Sequence, residues 1–360
     1  SRRGTVLAKQ PSCSKHAWAM DSTAILRAIA QHPAATQRGS SWRLQKKLAD
    51  STGLGEVLAL IGEGPGAWPT VNLATAWHRL ARHAPADGSR RRELEVAMRR
   101  LVAAQQGRDL RTFKSRHLAN IMWAWGKLRL KNHRLLTAVC DHSGARLSEF
   151  SVRGLSNMAY SLALLRFRHE NFLEDVGNHV QDRFAEFSAQ GISNAVYGFA
   201  LLRCKHEAFW HSMANHVPSR LEEFSAQEIS NLLYGCGLLG FRHEEFMGTA
   251  CRHVTHRLEL LEAQHLSNIV YALGQLQLQN RELLSAVCGH APTRLSDFTA
   301  QGLANTIYGL ALVEFRHPEF VQAFCSHVPS RLQEFTHQNL CNTAYALARL
   351  GFRAKGGQAR

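Results

Sequence analysis

Asparagine recurs at Asn120, Asn157, Asn194, Asn231, Asn268, Asn305 and Asn342, each 37 residues after the one before. A period held through so many steps without a slip commits the chain to a stack of equivalent units. Each unit is too small to bury a core alone, so it must cover its neighbour. Other columns keep the same step. Phe113, Phe150, Phe187, Phe224, Phe298 and Phe335 open the units, with Leu261 standing in once, and Trp123, Tyr160, Tyr197, Tyr234, Tyr271, Tyr308 and Tyr345 follow the asparagines by three. His142, His179, His216, His253, His290 and His327 form a further column, each four residues before Arg146, Arg183, Arg220, Arg257, Arg294 and Arg331.

Every unit reads as two helices. In the unit from Phe224, Ser225 and Glu228 make a capping box, the apolar period runs to Leu239, and Gly240 ends the helix. A second helix is expected from near His243 to near Leu258. On a helical wheel Ile229, Leu232, Leu233, Cys236 and Leu239 cover one broad face, and Tyr234 and Leu238 carry apolar character around the back. The remaining polar strip is Gln227, Glu228, Asn231 and Gly235. A helix buried on nearly all sides suits the inner layer of a solenoid. The fold class is therefore all-α: a right-handed α-solenoid of two-helix, 37-residue repeats.

Residues 113–353 contain six full repeats and the first helix of a seventh; 354–360 form a tail. Residues 19–112 are irregular, with one degenerate repeat around Asn72, whose 48-residue distance to Asn120 places an insertion near Pro85 to Ser89. Helices are expected near 20–32 and 41–49, and residues 1–18 read as disordered or a targeting remnant. Because the chain opens without Met and stops after a first helix, it reads as a piece of a longer protein.

The 43 Lys and Arg exceed the 28 Asp and Glu by 15, which points to an acidic partner, nucleic acid before anionic membrane. No apolar run is long enough to insert into a membrane. The eight cysteines lie far apart without a C-x-x-C pair, and the periodic histidines are spread one per unit, so no metal site and no cofactor are expected. Protease, hydrolase, nucleotide and dinucleotide fingerprints are all missing, and the chain reads as a non-enzyme.

The phrase Q-x-[LI]-[SA]-N-x-x-Y-[GA]-x-[AG]-x-L, as in Gln227 to Leu239 and Gln264 to Leu276, resembles the heptatricopeptide repeats of apicomplexan and related organelle proteins. It is also similar to the octotricopeptide repeats of green algae and to the repeats of FAST-kinase-like proteins. The resemblance implies an RNA-binding protein of mitochondria or plastids, acting in transcript stability, processing, translation or ribosome assembly. The RAP domain that often closes such proteins is not visible. The basic first fifty residues, with nine Lys and Arg against two Asp, agree with an organellar address.

Candidate RNA-binding residues follow from the strip. The asparagines Asn120, Asn157, Asn194, Asn231, Asn268, Asn305 and Asn342 have two readings: a ladder of amides tying each unit to the next, or a row of amides facing the ligand backbone. Four residues before each lies a forked donor: Arg116, Arg153, Gln190, Gln227, Gln264, Gln301 and Gln338. The next position varies: His117, Gly154, Gly191, Glu228, His265, Gly302 and Asn339. A variable site in a constant frame suits base reading, or is an unconstrained surface. Arg90, Arg91, Arg92, Arg99 and Arg100 are a candidate phosphate clamp, and Arg129, Arg166 and Arg203 extend a basic track. His-x-x-x-Arg is expected to tie neighbouring second helices together, with Glu149, Glu186, Glu223 and Glu334 as partners.

The expected partner is single-stranded RNA, mRNA or rRNA, at roughly one nucleotide per unit. The rival is a scaffold for ribosomal or other organellar proteins. Its support is the modest excess of the repeats: residues 113–360 hold 25 Lys and Arg against 20 acids, whereas residues 1–112 hold 18 against 8.

Overall fold

The computed structural model describes residues 33–352, and every regular element among them is helical. Four helices come first: α1 (Pro33–Asp50), α2 (Leu54–Gly62), α3 (Thr70–His83) and α4 (Arg91–Gln105). The repeats then pair α5 (Ser115–Lys127) with α6 (His133–Gly144), α7 (Val152–Leu164) with α8 (Glu170–Val180), and α9 (Ala189–Leu201) with α10 (Glu207–His216). Next come α11 (Ala226–Leu239) with α12 (Glu244–Thr255), α13 (Ala263–Gln275) with α14 (Arg281–His290), and α15 (Ala300–Leu312) with α16 (Pro318–His327); α17 (His337–Arg349) follows. These regularly stacked pairs are the α-solenoid that the period requires. The segments 1–18 and 20–32 and the tail lie outside the described residues.

The ends of the helices explain the repeat consensus. Ser151, Ser188, Ser225, Thr299 and Thr336 cap the first helices by accepting from the amide three residues on. Second helices are capped the same way by Asn132, His169, His206, His243, Asn280 and His317. They are shorter than the apolar pattern indicated: α12 stops at Thr255, and a 3-10 turn at Leu258–Leu260 carries the chain to Leu261. That turn positions the column of Phe113 to Phe335, buried throughout, under the start of the next repeat.

Small residues four and six places after each asparagine let the first helices touch backbone to backbone. A Cβ on Gly274 would lie 2.7 Å from Gly309 Cα, and one on Gly237 2.7 Å from Ala272 Cα. Gly235 likewise faces Val196 and Ala200 on the first helix of the preceding repeat rather than the open strip. The second helices are less uniform: a Cβ on Gly248 or Gly289 would meet nothing within 4 Å, whereas one on Gly177 would run into the His206 ring.

The long interval before Asn120 is not an insertion in one loop. Both helices of the degenerate unit are longer, α3 running on to His83 and α4 from Arg91 to Gln105, while the connection from Ala84 to Arg90 takes up only part of the excess.

Candidate nucleic-acid interface

On the first helices, the strip asparagines stand half-buried or exposed at the surface. A structural ladder of amides would bond each to its neighbour, and only isolated members do so. Asn72, in the degenerate unit, donates to Ser41 O at 3.2 Å; Asn231 donates to Ser193 Oγ at 3.3 Å; Asn342 accepts from Gln338 Nε2 at 2.9 Å. Among the described residues, the side chains of Asn120, Asn157, Asn194, Asn268 and Asn305 take no protein hydrogen bond. Four residues before them, Arg116, Arg153, Gln190, Gln227, Gln264 and Gln301 are exposed, and their forked heads have no protein partner either. Unpaired amides in a row are donors and acceptors available to something else.

Beside this strip runs a ladder of rings that the wheel had placed around the back of the helix. Tyr160, Tyr197, Tyr234, Tyr271, Tyr308 and Tyr345 follow one another at centroid distances of 6.1, 6.2, 6.0, 6.4 and 5.8 Å. Burial, then the neighbouring phenols, raise the hydroxyl pKa of Tyr197, Tyr234 and Tyr271. The signal was present in the sequence, because a residue three after Asn shares its face. At the first repeat Trp123 takes the position, with His78 at 5.0 Å from its ring and the Lys127 ammonium 5.4 Å from its centroid. Here a groove of about 820 Å³ crosses three repeats, lined among others by Arg116, Asn120, Arg153, Asn157, Gln190 and Asn194.

The variable column lies at the starts of the first helices. It is the third helical position, where the residue changes with its cap. Gly154, Gly191 and Gly302 donate their amides to Ser151, Ser188 and Thr299. Where the cap has no hydroxyl, histidine appears: His117 Nδ1 accepts from Lys114 N at 3.4 Å, and His265 Nδ1 accepts from Glu262 N at 3.1 Å. Glu228 accepts from Ser225 N at 2.8 Å, and Asn339 N donates to Thr336 Oγ1. His117 is buried and its Nε2 has no partner; burial, then Arg116 and Lys114, lower its pKa. The side chains of His117, Glu228 and His265 are thus held at helix starts.

The arginine cluster also lies elsewhere. It sits at the start of and along α4, in the second layer, and none of its members lines the groove. Arg90 pairs with Glu93 at 2.7 Å and Arg91 with Glu95 at 2.9 Å, Arg99 reaches Glu95 O, and Arg100 donates to Gly62 O at 2.7 Å. Arg92 alone is exposed without such a partner.

The His-x-x-x-Arg pairs border the second layer. Arg146, Arg220 and Arg331 each hold a carboxylate three residues on, at 2.5 to 2.7 Å, and the arginine keeps Glu149, Glu223 and Glu334 below the usual carboxylate range. The tie between units goes to backbone: Arg220 donates to Phe184 O and Phe187 O, Arg294 to Leu261 O and Arg331 to Leu295 O. Where Leu260 replaces the acid, Arg257 turns to Glu222 of the preceding repeat.

An unexpected feature lies nine residues after the asparagines, where Arg129, Arg166, Arg203, Gln277 and Glu314 adopt left-handed conformations at φ 56, 50, 55, 53 and 55°. Glycine fills this helix-ending position only at Gly240 and Gly351. Arg129 and Arg203 donate to Leu164 O and Leu238 O at the end of the next first helix.

Fold and strip together define a helical-repeat protein with a polar strip beside a ladder of rings on its first helices. A family model described as RNA-editing substrate-binding complex 6 protein matches residues 90–357, and the chain belongs to that family. No curated protein matches it. Among the described residues, no helix is long and apolar enough to cross a membrane.

Proposed function

We propose that the chain is the single-stranded RNA-binding subunit of an RNA-editing substrate-binding complex in the mitochondrion, holding RNA in register along its first helices. The observation that carries this reading is the row of unpartnered asparagines beside rings that repeat about every 6 Å. That step is close to the span of one nucleotide in an unstacked strand, so each repeat can meet one base on a phenol edge and its sugar on an amide. Because the variable column caps helices, base preference would arise from the Arg or Gln column and the ring ladder instead. Kinship with heptatricopeptide and octotricopeptide repeats is part of the same proposal. The family's name supports an editing role within the broader transcript processing that the repeats suggested.

A second reading, a docking surface for other proteins of the complex, draws on the charge of the later repeats, whose acids outnumber their Lys and Arg. Selection of bound oligonucleotides from a random RNA pool, at low and moderate salt, separates the two. Enrichment of a short motif supports the RNA reading; recovery of nothing above background at low salt sinks it and leaves the protein-docking one.

A further inference from the structure

Free cationic charge is not spread along the groove. Residues 113–149 hold seven Lys and Arg against two Asp and Glu, whereas residues 150–334 hold 14 against 18. The columns repeat this gradient one by one. Four places before each asparagine the series runs Arg116, Arg153 and then glutamine five times; nine places after, it runs Arg129, Arg166, Arg203, Gly240, Gln277, Glu314 and Gly351. Several later arginines are already committed, Arg220, Arg294 and Arg331 to acids and carbonyls of the second layer and Arg349 to Glu314 and Tyr345.

The ring ladder breaks at the same place. Ring contacts join His78 to Trp123 and link Tyr160 through to Tyr345, but among the described residues none joins Trp123 to Tyr160. The groove of about 820 Å³ lies over that break, with Arg116 and Arg153 among its lining. Its positive potential is felt by His78, whose pKa is lowered by burial first and then by Arg79, Arg82, Arg153 and Lys127.

Resting on the RNA-binding reading above, we propose that the strand is anchored at the first repeat boundary. One base stacks on Trp123 in the break of the ladder, Arg116 and Arg153 hold the phosphates on either side, and repeats four to six make no phosphate contact. An indole presents a large π-face to any base, and a guanidinium matches two phosphate oxygens at once, so this pair of groups forms an anchor without reading sequence. Beyond it, amides and phenols meet bases and sugars while the phosphates face water.

The test is fluorescence anisotropy of labelled oligouridine RNA on the purified chain across a salt series. Arg116→Gln with Arg153→Gln installs the residue that the later repeats carry in that column, so folding is preserved. This pair is expected to weaken binding about tenfold or more and to flatten the log-log salt slope by about 1.4, from roughly 0.7 per phosphate. Trp123→Ala should cost about tenfold in affinity with an unchanged slope. Arg242→Gln with Arg316→Gln removes two exposed charges from repeats four and six and should alter neither quantity. An equal loss in both arginine pairs, or an unchanged slope in the first, overturns the anchor while leaving RNA binding standing. Failure of the unaltered chain to bind overturns both.

Discussion

Gly274→Ala tests the backbone contact on which the close spacing of the first helices depends. In the interior of an exposed helix this exchange stabilises by about 1 kcal/mol, because alanine has less backbone freedom to lose. On α13, however, the new methyl would sit 2.7 Å from Gly309 Cα and 2.8 Å from Gly309 O. Those are backbone atoms of α15, and no side-chain rotation can move them away. Overpacking costs about 1–3 kcal/mol where neighbours can adjust, and a contact with backbone belongs at the upper end. The net expectation is a loss of about 2 kcal/mol, after the helix-propensity gain is subtracted. Gly248→Ala, on α12 with nothing within 4 Å of the new atom, is the matched control and should gain about 1 kcal/mol. Urea unfolding followed by circular dichroism reads both, as shifts of the midpoint in opposite directions. If Gly274→Ala is as stable as the parent, the first helices do not meet backbone to backbone, and the ring spacing of 6.4 Å between Tyr271 and Tyr308 loses its cause.

Acidification should destabilise the stack. Burial first, and then the adjacent arginine, lower the pKa of His142, His179, His216 and His253 from 6.5. These rings stay neutral in the fold while the unfolded chain binds protons, so stability is fully present above 6.5 and is lost as the pH falls below it; a melting temperature that is flat or rising from pH 7.5 to pH 5.5 would contradict this. Arg220→Ala should cost about 1–2 kcal/mol in the same urea assay, because it removes the donor that reaches Phe187 O at 3.0 Å, while Phe184 O keeps the amide of Phe187. A loss under about 0.5 kcal/mol, the ordinary range for a surface change, would mean that the arginine does not tie the repeats together.

What the sequence made legible follows from periodicity, and what it hid follows from averaging. The 37-residue step located both helices of each repeat and the strip bearing Asn120 to Asn342, because spacing along a helix fixes which side chains share a face. The Tyr234 ring is mostly hydrocarbon, which puts it on the apolar back of a wheel, yet it lies three residues after Asn231 and half-buried within the ring ladder. The column from His117 to Asn339 looked free because it varies, but the variation is paired. Lys114 and Glu262 have no hydroxyl and are followed by His117 and His265, while Ser151, Ser188 and Thr299 are followed by glycine. A column considered apart from its cap cannot reveal that coupling. The left-handed turn at Arg129, Arg166 and Arg203 was equally hidden, since turn chemistry assigns such a site to glycine. Arginine there carries a conformational cost of about 1–2 kcal/mol that Gly240 avoids. Arginine carries this cost in the first three repeats, and Gln277 and Glu314 carry it later without a positive charge. What changes along the stack is therefore the charge at this site rather than the strain, and arginine in the early repeats is the choice expected if those guanidinium groups serve the acidic ligand as well as the neighbouring helix end.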